Sequence, residues 1–221
     1  MKYSINNIKG EIIFEGDDLR GADLMGAVLR RYDLSGVDLS GCNLTGAYME
    51  GINLEGANLT DVNLTEADLD QNGGSSNLRK VLFERTIIKN TCLRNAILEN
   101  SILNKITIEN SSLGSAHLTN AKLIDTHLIK VDCGRAYFEM ADLTRAVLER
   151  CNLLNARFKG SILDETLFKE NKIRQDNPYD RTVVDEINFE GTSLDKAIFI
   201  GNFYCDYNEE NPIILDKQDI L

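Results

Sequence analysis

The chain places an apolar residue at every fifth position for most of its length. Five matches neither the period of a helix, about 3.6, nor the period of two along a strand. The stretch ADLMG at 22–26 shows the unit, and ADLDQ at 67–71 and ADLTR at 141–145 repeat it. With the large central residue called i, one block runs from Phe14 to Leu69, a second from Leu78 to Ile173 and a third from Val184 to Tyr204, 37 repeats in all. Position i−2 is mostly small or β-branched, as at Ala22, Ala27, Ala57, Ala96 and Ala136. Residues two apart on an extended chain share a face, so i−2 and i point inward and the other three turn a corner in water. Four such sides close a square coil of about twenty residues, and coils stack at the strand spacing of ~4.8 Å. A helix fails because a period of five drifts around it and leaves no apolar stripe. A flat antiparallel sheet fails because alternation does not persist.

The A(D/N)LXX pattern, carried by tandem repeats over 14–206, resembles the pentapeptide-repeat proteins. The resemblance implies an all-β fold, a right-handed quadrilateral β-helix of about nine coils. The expected layout is a cap at 1–13, one β-helix domain at 14–206 and a tail or cap at 207–221. The phase slips at NGGS (72–75) and DNPYDR (176–181), which read as loops inserted between intact repeats. Twelve repeats precede the first and thirty-two the second, so both are expected to leave from one corner of the square.

In the first block the second turn slot, i+2, is glycine in eight of twelve repeats, which suits a type II turn with φ > 0. In the second block the slot holds Lys80, Arg85, Lys105, Arg135, Arg145 and Arg150. Such residues tolerate φ > 0 poorly, so type I-like turns are predicted there.

The net charge of −11 opposes general affinity for nucleic acid or an anionic membrane and suits a basic protein partner. It is uneven: −8 over 1–70, +5 over 71–174 and −8 over 175–221. Residues twenty apart should stack, setting Arg79 beside Glu99, Lys89 beside Glu109, Lys159 beside Glu139 and Lys169 beside Glu149. The outward position i−1, mostly Asp or Asn at first, turns apolar at Leu82, Ile87, Ile97 and Ile102, then at Ile162 and Leu167.

The five scattered cysteines without CxxC read as reduced and cytoplasmic. No apolar run approaches the length of a membrane span, and no signal-peptide core opens the chain. His117 and His127 fall on opposite sides of a coil and cannot share a metal. No nucleophile sits with a base, and no metal or cofactor is implied, so a non-catalytic scaffold is expected rather than an enzyme. Its protein partner would touch Asn72, Gly73, Gly74 and Ser75, then Asp176, Asn177, Pro178, Tyr179, Asp180 and Arg181, and the apolar Leu82, Ile87, Ile97 and Ile102. Phe203, Tyr207, Ile213, Ile214 and Leu215 are candidates to cap the last coil or to form a homodimer contact. The alternative function comes from the resemblance. Some family members mimic DNA, bind DNA gyrase or topoisomerase and protect against quinolones. Size, acidity, paired loops and a non-repeat tail fit that alternative, whereas the leucine-rich core and the basic waist depart from it.

Overall fold

A computed structural model describes residues 2–70, 75–176, 184–205 and 213–215. The chain opens with an antiparallel hairpin, β1 (Tyr3–Asn6) and β2 (Ile12–Gly16). Phe14 lies in β2 opposite Ile5, so the cap reaches Gly16 and the first apolar repeat belongs to it. The hairpin covers the end of the tube: Ile5 is fully buried in the core, Tyr3, Ile13 and Phe14 pack against it, and the Val28 N–H donates to Asn6 O at 2.8 Å.

Coiling then follows the period. Residues twenty apart pair in parallel, Asp23 with Asn43, Val28 with Tyr48, Asp33 with Asn53 and Asp38 with Asn58, one pair on each of four walls. The outward column of the first wall runs Asp38, Asn58, Leu82, Ile102, Lys122, Asp142, Ile162. That of the third wall runs from Val28 through Asp68, Cys92 and Asp132 to Lys172. The fourth runs from Asp33 through Asn77, Ile97, His117, Tyr137 and Arg157 to Asn188. The second wall begins Asp23, Asn43, Asn63, Ile87 and then widens into true strands: β3 (Ile88–Lys89), β4 (Thr107–Glu109), β5 (His127–Ile129), β6 (Val147–Glu149) and β7 (Leu167–Lys169). After β7 the chain leaves the coil as an antiparallel hairpin, β8 (Lys172–Asp176) and β9 (Val184–Glu186). It returns, and β10 (Ile198–Ile200) adds to β7 as the sixth parallel strand. β11 (Asn202–Cys205) pairs in parallel with β8, and β12 (Ile213–Leu215) folds back on it.

Val184 was expected to carry an inward repeat. It lies instead in β9, paired with Asp176, because the chain there runs antiparallel to its predecessor and cannot stack as a coil. The next fourth-wall residue after Arg157 is Asn188, so the second interruption is wider than DNPYDR. Residues 177–181 of that segment, and 71–74 around the first, lie outside the described residues. Both interruptions fall between the third and fourth walls, after Asp68 and before Asn77, and after Lys172 and before Asn188. Five coils separate them along the third-wall column, or ~24 Å.

The inward positions fill the tube. Leu24, Leu54, Leu98, Leu118 and Leu148 are fully buried, each side chain contributing roughly 1.5–3 kcal/mol of transfer energy. Toward the C-terminal end the filling turns aromatic: Phe138 stacks on Phe158 at 4.8 Å and Phe168 on Phe199 at 4.9 Å. Coils are tied by backbone bonds, as when Leu24 and Gly26 N–H donate to Asn43 and Thr45 O, and Asn43 N–H donates back to Ala22 O.

The corners overturn the predicted change of turn. Lys80, Arg85, Lys105, Arg135, Arg145 and Arg150 all hold positive φ, between 54° and 60°, in the slot that glycine fills earlier. Most of these corners keep the first block's i to i+3 bond, Ala146 N–H to Leu143 O at 2.8 Å matching Ala22 N–H to Leu19 O at 3.0 Å. The slot's N–H is committed to the next coil, Lys80 to Glu99 O at 3.0 Å, so stacking imposes the left-handed conformation whatever the side chain. Each such residue costs about 1–2 kcal/mol, offset by its bonds to the next coil.

One corner does change. From Ile88 onward the turn from second to third wall lacks the i to i+3 bond, and at three of these corners a side chain replaces it. Thr91 N–H donates to Ser111 Oγ (3.1 Å), Cys151 N–H to Asn171 Oδ1 (2.8 Å) and Asn171 N–H to Asn202 Oδ1 (3.1 Å). Asn171 Nδ2 in turn donates to Leu148 O at 2.8 Å. These inward polar residues are buried, and they satisfy the groups that the wider strand frees.

Candidate functional site

A solenoid built this way offers its surface as straight columns rather than as a cleft. The acidic residues at i−1 are held rigidly. Asp33 Oδ1 accepts the Ser35 N–H at 3.1 Å and Asn53 Nδ2 at 2.9 Å, and Asp38 Oδ1 accepts the Ser40 N–H and Asn58 Nδ2, both at 3.0 Å. Those donors hold both carboxyls below the usual range, foremost Ser35 for Asp33 and Ser40 for Asp38. The Arg20 guanidinium draws Asp18 down to about 2.

Across the basic waist the charges pair between coils. Arg79–Glu99 (3.0 Å), Lys89–Glu109 (3.2 Å) and Lys169–Glu149 (2.9 Å) form as the spacing predicts. Lys159 departs: it turns to Glu190 at 3.5 Å, away from Glu139. Carboxylates face it from both sides in its column, and one ammonium facing one leaves the other. Glu139 Oε2 is buried with no partner among the described residues. The left-handed residues add Arg85–Asp61 (2.6 Å), Arg145–Asp125 (2.7 Å) and Arg150–Glu170 (2.7 Å).

The four apolar candidates do not form one patch. Leu82 and Ile102 pair on the first wall, Ile87 lies on the second and Ile97 on the fourth, between Asn77 and His117. Ile87 is 52% exposed and Ile102 37%. The more continuous stripe was missed. It follows the second wall through Val147, Leu167 and Ile198, and earlier in the same column Thr107 and His127 separate it from Ile87. Leu167 was legible as an apolar i−1 residue, whereas Ile198 was not, because the β8–β9 excursion sets it 31 rather than twenty residues further on.

Of the loop candidates, Ser75 is described, and Asp176 is placed in β8 by its backbone. Asn72, Gly73, Gly74, Asn177, Pro178, Tyr179, Asp180 and Arg181 lie outside the described residues, as does Tyr207. Ser76, just after the first interruption, anchors it: its Oγ accepts the Gly51 N–H at 3.1 Å and donates to Leu69 O at 2.9 Å. Phe203, Ile213, Ile214 and Leu215 meet in the β11–β12 hairpin, which closes the third wall of the last coil. Ile214 there is exposed and lines a hollow of 510 Å³ with Arg150, Glu170 and Lys172.

His117 and His127 sit on opposite walls. His117 stacks on Tyr137 at 4.5 Å, and Arg157 lies 4.9 Å over the same ring, so these side chains pack on one another along the fourth wall. Cys42, Cys133 and Cys151 are buried thiols, and burial pushes Cys42 up to about 11. Among the described residues no three of His, Cys, Asp and Glu gather as metal ligands, and no helix is long and apolar enough to cross a membrane.

The model of the pentapeptide-repeat family matches in 8 copies over 14–46, 38–71 and 132–169. Among solved structures, the chain is similar to HetL, a pentapeptide-repeat protein involved in heterocyst differentiation regulation from the cyanobacterium Nostoc sp. strain PCC 7120. Identity is 29%, over 69% of this chain and 72% of that one, with a TM-score of 0.39. It is also similar to a trypsin-treated variant of QnrB1, a plasmid-mediated fluoroquinolone resistance protein, at 16% identity over 78% and 74% with a TM-score of 0.39. A pentapeptide-repeat protein of the Arabidopsis thaliana thylakoid lumen is 30% identical over 49% of this chain and 66% of its own, with a TM-score of 0.24. No curated protein matches. With the period, the square coil and the repeat model in agreement, the chain carries pentapeptide repeats, matched over 14–71 and 132–169, and winds them into a square β-solenoid.

Proposed function

We propose that this protein is a non-catalytic scaffold that binds a basic protein partner in the cytoplasm. The observation carrying this reading is the set of i−1 carboxylates fixed outward by backbone and Asn donors in the first coils. Carboxylates held this way stay ionised at neutral pH and need no reordering on binding, which lowers the entropic cost of association. The loops at 72–75 and 176–181 and the apolar Leu82–Ile102 pair are the proposed specificity contacts, and the β11–β12 hairpin the proposed homodimer contact. The test is crosslinking and affinity capture with wild type, with a variant lacking 72–75 and with Asp33→Asn/Asp38→Asn. A salt-sensitive partner weakened by both variants supports the reading, and a partner indifferent to both overturns it.

A second reading has the same fixed carboxylates occupying the DNA channel of gyrase or topoisomerase and protecting it from quinolones. The net charge of +5 over 71–174 leaves the acidic excess at the two ends, which argues for a shorter footprint than DNA would make. A supercoiling assay with and without ciprofloxacin decides between the two. Protection at micromolar protein selects gyrase, and its absence leaves the general scaffold.

A further inference from the structure

The second wall alone presents two outward columns along a continuous sheet. From β4 to β7 its strands are three residues long, with the middle residue buried and both ends turned outward. β10 continues the wall in register, Ile198 beside Leu167 and Ile200 beside Lys169. The last four strands, β5, β6, β7 and β10, form one parallel sheet face. Ile198 and Ile200 on it are 47% and 52% exposed.

The charges on this face are ordered so that reversing the coils turns each into its opposite. The corner entering the wall carries Asp125, Arg145, Glu165 and Lys196 in successive coils. The strand ends carry Ile129, Glu149, Lys169 and Ile200. The corner leaving the wall carries Lys130, Arg150, Glu170 and Gly201. A two-fold axis between β6 and β7, directed along the strands, lays the face of a second copy on this one with its coils reversed. Arg145 then meets Glu165 and Asp125 meets Lys196. Glu149 meets Lys169 and Arg150 meets Glu170. Between these charges Val147 meets Leu167, and Ile129 meets Ile200. Each pair occurs twice, as an isologous contact requires. His127 falls opposite Ile198, and Lys130 opposite Gly201.

Neighbouring arrangements bring like charges together, which selects against them. An axis on β6 sets Arg145 on Arg145 and Arg150 on Arg150. An axis on β7 sets Glu165 on Glu165 and Lys169 on Lys169. An axis along the rod keeps the coils in step and sets Arg145 against Arg150 and Glu165 against Glu170. Within one copy Arg145–Asp125, Arg150–Glu170 and Lys169–Glu149 are already paired, so none of these six enters the contact as an isolated charge. We propose that the outer face of β5, β6, β7 and β10 joins two copies of this chain side by side and antiparallel. The face runs ~19 Å along the axis, small for an interface, so the dimer is concentration-dependent. It is separate from the β11–β12 hairpin, and it leaves the first-coil carboxylates to a partner.

The test is mass against concentration by analytical ultracentrifugation. Wild type should pass from monomer to dimer as concentration rises, and added salt should move that transition to higher concentration. Arg145→Glu sets an acid against Glu165, and Glu165→Arg sets a base against Arg145, so each single variant should stay monomeric. Mixed in equal amounts, the two should recover the dimer, because each supplies the charge that the other now needs. Circular dichroism melts check that each variant is folded. Leu167→Ser adds no charge and should weaken the dimer roughly tenfold. Ile214→Lys, on the hairpin, should leave it intact. A wild type of monomeric mass throughout overturns the proposal, as does a mixture of the single variants that stays monomeric or a Leu167→Ser dimer of unchanged strength. Loss of the dimer in Ile214→Lys assigns self-association to the hairpin and overturns the wall contact. None of these outcomes bears on partner capture, which rests on Asp33 and Asp38.

Discussion

Lys105 holds φ at +60° in a turn slot where earlier coils carry glycine. Exchange for glycine removes left-handed strain of about 1–2 kcal/mol and adds back roughly 0.5–1 kcal/mol of backbone entropy. Lys105→Gly is therefore expected to raise the melting temperature slightly, read by calorimetry, whereas Gly41→Ala, at φ +73°, should lower it. A fall for Lys105→Gly would show that the slot is no longer strained once stacked. This residue-level choice was the part of the fold least legible in the sequence. The tolerance of Lys and Arg for positive φ is poor in isolation, and the interaction that overrides it, a hydrogen bond to a residue twenty positions on, lies beyond any local rule. The inward leucines were legible because burial depends only on period. The Lys159–Glu190 pair was not, because an interruption changed which residue lay twenty positions away in space.

Among the elements, the corner from second to third wall departs from its siblings. Widening each wall segment into a strand of two or three residues freed backbone donors whose hydrogen bonds Ser111, Asn171 and Asn202 now accept. Asn171→Ala would orphan both the Cys151 N–H and the Leu148 C=O, so it should cost roughly 2–4 kcal/mol in urea denaturation, more than a simple cavity of that size. Asn171→Leu fills the space and should not rescue it. A loss well under 1 kcal/mol would mean that the corner closes by itself. The cap and the excursion β8–β9 read from sequence as repeats because Phe14 and Val184 keep the five-residue spacing. Spacing reports where side chains of a given size recur and is silent on whether the chain between them runs forward or doubles back.

For the molecule as a whole, exposed carboxylates with lowered pKa set the response to acid. Asp18, held down by the Arg20 side chain to about 2, is joined by Asp33 and Asp38, held by Ser donors, and by Asp61 and Asp125, held by Arg85 and Arg145. A folded-state pKa below the unfolded value gives stability that is present above the unfolded value and lost as pH falls through the folded one. The melting temperature should therefore stay level down to about pH 4 and then fall toward pH 2. A steep fall between pH 7 and pH 5 would contradict this.

The two interruptions leave from one corner, five coils apart, and that makes the rod a ruler. The spacing of whatever they carry is quantised. Removing twenty residues, such as 98–117, brings the two points one step of ~4.8 Å closer and leaves them on the same edge. Removing five would swing one of them a quarter turn around the axis. Length and angle can thus be set independently, by whole coils for one and single repeats for the other, so two grips on a partner can be moved apart without being turned away from it.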